Sequence, residues 1–210
     1  MTPQQLISQY PLLYHMAELG SWPSIQQHGL LSASALLDLF EIQGSERIQL
    51  ESRWRPGSVH LNHPKHGSAV IRDQLPMPED KLSALLTGAT TREWYELINR
   101  KTFFWVDTRR LAWMLKAPPY RNKTHCVLTV RTRALLDRHL DAVTLSDQNS
   151  GSLYSGKFRG PDTFRQVSAY RSRWIAELAV DYSVPDVADF TLRVEERRRD
   201  NTPRLIWEPS

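Results

Sequence analysis

The run Thr102-Phe103-Phe104-Trp105-Val106 is β-branched or aromatic throughout, and it lies between two helix starts. Such residues fit a pleated, half-buried surface, and the β-branched and aromatic ones lose side-chain freedom in a helix. The run is therefore read as a strand. Upstream, Thr90 and Glu93 have the spacing of a capping box, which opens a helix carrying Trp94, Tyr95 and Leu97. Downstream, Asp107 or Thr108 caps a helix carrying Leu111, Trp113, Met114 and Leu115. Strands and helices continue to mix along the chain without a regular strand–helix–strand repeat, which predicts an α+β fold.

Pro11-Leu12-Leu13-Tyr14-His15 reads as a short strand. Ser21 then caps a helix with Pro23 in its first turn and Gly29 at its end. Leu36, Leu37 and Phe40 mark a second helix, and residues 46–54 a third. The stretch 55–67 holds Pro56, Gly57, Pro64 and Gly67 and reads as loop, before a strand at Ala69-Val70-Ile71. Acidic residues open a helix over 78–86. Later strands are expected at 125–130, 174–181 and 189–194. Residues 149–160 are polar, contain three glycines and read as an exposed loop. With no repeat or Gly/Ser linker, the reading is one domain over 1–195, followed by a basic, mobile tail over 196–210.

The 210 residues are 40% hydrophobic and 24% charged, enough for a substantial core. A net charge of +4 permits a nucleic-acid partner without requiring one. The one cysteine, Cys126, sits in an apolar run and has no partner for a disulfide, which fits a reducing compartment. No signal peptide or membrane span is read, so the expected location is the cytoplasm.

Several chemistries are excluded by the absence of their motifs. The chain has no Gly-x-Gly-x-x-Gly, no Walker loop, no His-Glu-x-x-His and no Gly-x-Ser-x-Gly. His60, His63 and His66 lack a carboxylate or cysteine close in sequence and read as a polar loop, so no metal site is assigned. Glu177 lies in Trp174-Ile175-Ala176-Glu177-Leu178-Ala179-Val180. Strand alternation puts it on the face of Ile175 and Ala179, either pointing out to solvent or lining a cleft. His15, closing its strand, is either a satisfied core residue or a ligand for a hydroxyl. Tyr154, Lys157 and Arg159 interleave aromatic and basic groups in the 149–160 loop. They read either as a solvated surface or as a contact for single-stranded nucleic acid.

Three segments carry a resemblance. Leu13-Tyr14-His15-Met16-Ala17, with Ser24-Ile25 and His28-Gly29-Leu30-Leu31-Ser32, resembles the opening of DarT-like and RNA 2′-phosphotransferase-like proteins. Phe103-Phe104-Trp105 leading to Arg109 is similar to the aromatic strand that precedes an arginine in DarT-like enzymes. Ala176-Glu177-Leu178-Ala179-Val180, running on to Val184-Pro185, resembles the strand bearing their catalytic glutamate. Ile71-Arg72-Asp73-Gln74 and Asn149-Ser150-Gly151-Ser152 resemble an uncharacterised bacterial branch of the same fold. The chain departs from the DarT-like pattern at Ala17, usually Thr, and at Ser21-Trp22, where Asn is usual.

The resemblance implies an ADP-ribosyltransferase-like fold: two small, mostly antiparallel sheets with flanking helices, forming a cleft for NAD as substrate. It implies Glu177 and Arg109 as catalytic residues, with Arg110 the adjacent alternative. It implies Tyr14, His15, Phe104, Trp105 and Arg72 as NAD contacts. The expected activity is ADP-ribosyl transfer, with single-stranded DNA or RNA as the acceptor and a role as a bacterial toxin or defence effector, opposed by an antitoxin. The alternatives are an RNA 2′-phosphotransferase-like NAD enzyme and a catalytically inactive nucleotide- or nucleic-acid-binding module of the same fold.

Overall fold

The computed structural model describes residues 1–199 and 201–209. The chain runs α1 (Pro3–Gln9), β1 (Leu12–Glu18), α2 (Trp22–His28), β2 (Leu30–Leu31), α3 (Ala33–Leu39) and α4 (Gly44–Glu51). It continues through β3 (Val59–His63), β4 (Gly67–Ile71), α5 (Glu79–Ser83), α6 (Thr91–Asn99), β5 (Lys101–Trp105) and α7 (Thr108–Lys116). Next come β6 (His125–Arg131), α8 (Thr132–His139), β7 (Val143–Ser146), β8 (Arg165–Gln166) and β9 (Glu177–Asp181). The last elements are β10 (Ser183–Val184), β11 (Thr191–Arg197) and β12 (Arg204–Trp207). Two capping expectations hold: Thr90 and Glu93 form the box that opens α6, and Asp107 accepts a bond from the Arg110 N–H at the start of α7; Ser21 stands at the N-cap of α2 but its side chain makes no capping bond.

Among the described residues, eight strands form one sheet in the order β12-β11-β6-β1-β5-β9-β7-β8, and β10-β2 and β3-β4 make two short ladders. The fold is α+β with antiparallel pairing. The expected two small sheets are joined here. In one half, β1 pairs with β6 along its whole length, from Leu12↔Arg131 to Glu18↔His125. In the other, β5 pairs with β9 from Lys101↔Asp181 to Trp105↔Glu177. Between the halves, β1 and β5 share the single register pair Tyr14↔Trp105.

One face of the sheet carries the main core. Leu13, Phe104, Leu128, Leu178 and Val180 pack there against Leu6 of α1, Ile25 of α2 and Leu135 of α8. On the other face, Tyr14, Met16 and Val127 meet Leu111 and Leu115 of α7. Smaller clusters hold α3 and α4 on the β3–β4 ladder, and α5 on α6 around Trp94 and Tyr95. Cys126 is a free thiol inside the main core, where burial pushes its pKa up to about 12 and keeps it inert.

Two expectations about organisation are corrected. Residues 59–63 form β3 rather than loop, and Leu61 is its one fully buried side chain, so the alternation is faint in the sequence. The chain beyond 195 does not leave the domain. β11 runs to Arg197, and β12 pairs back on it at Val194↔Trp207 and Glu196↔Arg204. Trp207 also lies 4.8 Å from Trp22, which ties this end to α2. The expected tail includes Asp200 and Ser210, which lie outside the described residues.

Candidate functional site

A cleft of about 1130 Å³ lies where β1 and β5 separate. His15 from β1, Trp105 from β5 and Glu177 from β9 line it, with Arg72 just beyond β4, Arg110 from α7 and part of the 149–160 loop. Residues far apart in sequence thus share one cavity because two half-sheets diverge.

Glu177 opens β9, in register with Trp105 on one side and Ser146 on the other. It is only 2% exposed, so the outward-pointing alternative is excluded. Its Oε1 accepts the Ser150 backbone N–H at 2.9 Å. Burial pushes the carboxyl up to about 7, while the bonds from Ser150 and the charges of Arg159 and Arg110 pull the other way. A carboxyl with such a pKa exchanges its proton near neutral pH.

Arg159 is not an exposed nucleic-acid contact. It is 2% exposed and donates to the carbonyls of Ser150 at 3.1 Å, Ser152 at 3.0 Å and Lys157 at 3.3 Å. Its guanidinium lies 5.9 Å from the Trp94 ring. The arginine therefore gathers the loop that presents the Ser150 N–H to Glu177. The base of the loop is fixed too: Arg159 N–H bonds Leu85 O, and Thr87 N–H bonds Arg159 O, both at 2.9 Å. A side chain at Gly160 would collide with the Thr87 carbonyl, its Cβ lying 2.1 Å from that oxygen.

His15 reaches the carbonyl oxygen of Phe103 with Nδ1 at 2.8 Å. A carbonyl only accepts, so the proton sits on Nδ1 and Nε2 is left as an acceptor. Burial, with Arg72 nearby, lowers its pKa to about 4, so the ring is neutral at pH 7. Arg72 donates Nη1 to Met16 O at 2.9 Å and stands 4.8 Å from the Tyr120 ring. Its Nε is 3.5 Å from the Glu18 carboxylate, yet among the described residues neither Nε nor Nη2 finds a hydrogen-bond partner. Buried donors without hydrogen bonds are uncommon, and here the Glu18 carboxylate supplies the nearby anion.

The remaining expected residues divide. Trp105 is half-buried and lines the cleft, and Tyr154 stands fully exposed at its rim. Phe104, expected at the ligand, is instead wholly inside the main core, and Tyr14 packs under α7, so neither lines the cleft. Lys157 is exposed, 3.5 Å from Asp147, and is not among the residues lining the cleft. Arg109 is also outside the lining, with a 63% exposed side chain 3.7 Å from Asp107. Its neighbour Arg110 is the one that turns in: it is 9% exposed and burial holds its pKa below the usual range. Pattern reading missed Trp113 as a site residue, although its place three residues after Arg110 puts both on one helix face.

His63 and His66 stack at 4.7 Å, and the His28 Nε2 lies 3.1 Å from the His66 carbonyl. Among the described residues, no group of three His, Cys, Asp or Glu is arranged to hold a metal ion. No helix of the described chain is long and apolar enough to cross a membrane.

No curated protein matches the sequence. Residues 11–191 match the model described as "Family of unknown function (DUF7002)", a span that takes in β1, the cleft and Glu177. The chain belongs to this family.

Proposed function

We propose that the protein is an NAD-dependent ADP-ribosyltransferase that binds NAD in the cleft between the two half-sheets. The observation that carries this reading is Glu177: a buried carboxyl, poised to ionise near neutral pH, in one cavity with a neutral His15 and with Arg72. Arg72, a guanidinium in the cleft lining, suits the pyrophosphate. His15, with Nε2 as an acceptor, suits a ribose hydroxyl. Trp105 offers a partly exposed ring for a planar base.

In the reaction, the bond from the ribose C1′ to the nicotinamide nitrogen breaks, and nicotinamide leaves with the bonding electrons. The ribose passes through an oxocarbenium-like state. The Glu177 carboxylate stabilises that positive charge, then takes the proton of the acceptor as the acceptor bonds to C1′. The acceptor in this reading is single-stranded DNA or RNA, brought in past Tyr154. The role as a cytoplasmic bacterial toxin or defence effector with an antitoxin partner belongs to the same proposal and rests on the sequence resemblance.

A second reading, RNA 2′-phosphotransferase-like chemistry, is favoured by one observation: two arginines, Arg72 and Arg110, line the same cleft. Mass analysis separates the two. Oligonucleotides, with and without an internal 2′-phosphate, are incubated with NAD and the protein. The proposal expects an unphosphorylated strand to gain one ADP-ribose unit, and Glu177→Gln to lose that gain. Loss of a phosphate from the 2′-phosphorylated strand alone would favour the second reading. NAD binding without any product, unchanged in Glu177→Gln, would make the protein an inactive binding module.

A further inference from the structure

Arg110 is nine-tenths buried, yet among the described residues its guanidinium makes no hydrogen bond and no ion pair. Desolvating a cation without a partner is costly, so such a group is expected to meet an anion. Its nitrogens are not sealed in protein, and the residue lines the cleft. The flanking contacts restrict which anion fits. The guanidinium lies 4.7 Å from the Trp174 ring and 5.9 Å from the Trp113 ring. Indoles attract the faces of a guanidinium and leave its edge free for in-plane hydrogen bonds. Both rings remain open to solvent, Trp113 at 57% exposed and Trp174 at 50%. Arg109 adds a second cation 5.9 Å from each ring.

From this arrangement we infer that Arg110, Trp113 and Trp174 form a nucleotide-binding site beside Glu177, with a phosphate on the Arg110 edge and a base on an exposed indole. A carboxylate would satisfy the arginine but would leave the two rings unused. A phosphate joined to a planar base uses all three side chains. This site is separate from Arg72, so the cleft lining holds two guanidinium groups for two reactants. Assigning the nucleotide to the second reactant rests on the NAD reading above; the binding itself does not.

The nucleotide is either free or one unit of a single strand, and the probes distinguish these. Binding of a fluorescently labelled single-stranded DNA oligonucleotide is measured by anisotropy without NAD, with unlabelled AMP, inorganic phosphate and an acidic peptide as competitors. Arg110→Gln and Trp113→Ala are each expected to weaken binding by about tenfold. Trp113 is exposed, so its variant tests the site even if the Arg110 variant fails to fold. AMP competing as well as the unlabelled strand identifies a free nucleotide, and competition by the strand alone identifies a chain. The inference is overturned if Trp113→Ala binds like the wild type, or if the acidic peptide displaces the labelled strand as well as the unlabelled strand does. It is also overturned if folded Arg110→Gln keeps the oligonucleotide and loses only NAD, an outcome that leaves the NAD reading intact.

Discussion

The Nδ1 of His15 lies 2.8 Å from the carbonyl oxygen of Phe103, across the line where the two half-sheets part. A side chain there makes the bond that the ladder between β1 and β5 does not, since the strands share only Tyr14↔Trp105. The same bond fixes the tautomer that leaves Nε2 as an acceptor. His15→Ala would leave a Phe103 carbonyl short of a partner, at a cost of about 1–3 kcal/mol. Urea unfolding should register that loss, and NAD affinity should fall in the same variant. A variant with full stability and full affinity would show that the bridge is idle.

Glu177 makes stability depend on pH in a defined direction. Its pKa is raised to about 7 in the folded chain, above the ordinary carboxyl value. Below the ordinary value the group is protonated in both states and carries no penalty. As pH rises toward 7, the unfolded chain ionises first and stability falls, until the folded carboxyl ionises too. The accumulated penalty is about 3 kcal/mol. Glu177→Gln removes it, so the variant should melt higher than the wild type at pH 8 and equally at pH 4. Under the proposed chemistry, the wild-type reaction rate should rise through one ionisation near pH 7, since the carboxylate is the working form.

The loop over Glu177 depends on Arg159. Its guanidinium bonds three carbonyls between Ser150 and Lys157, and charge-assisted bonds of this kind contribute about 1.5–3 kcal/mol each. Arg159→Gln should release the loop before the rest of the fold. Hydrogen exchange should quicken at the Ser150 amide while protection in β6 stays unchanged. Equal protection at Ser150 in both proteins would mean that the loop is held by other contacts.

Arg72 offers a test of ligand polarity. Its guanidinium belongs to a residue of the cleft lining, beside the Glu18 carboxylate. If its charge holds the pyrophosphate, Arg72→Gln should weaken NAD binding by about tenfold or more, as expected for a lost charge-assisted contact. Calorimetry would measure this. Nicotinamide riboside lacks the pyrophosphate and should bind the two proteins alike.

What the sequence made legible follows from signal strength. The aromatic run of β5, the capping box of α6 and the Asp107 cap of α7 are local and self-contained, and they appear as expected. α1 was readable but overlooked: Thr2 and Gln5 form a capping box around Pro3. β12 was not readable locally, because a four-residue strand is too short to show a period and exists only through its pairing with β11. At the site, His15, Arg72, Trp105 and Glu177 were legible as residue types, and the structure brings them to one cleft. The choice between Arg109 and Arg110 depends on the phase of α7 against the sheet, which one helix pattern cannot fix. Arg159 looked like a surface charge because its partners are backbone carbonyls, which no side-chain pattern reveals.

The central claim is that Glu177 acts on NAD held in this cleft. The direct measurement is nicotinamide release from NAD by wild type and by Glu177→Gln, each shown to be folded, with and without single-stranded DNA or RNA. The account predicts release by the wild type and a loss of about a hundredfold or more in the variant, as when one transition-state stabilising group is removed. Equal release by both proteins, or none by a folded wild type under any of these conditions, would contradict it.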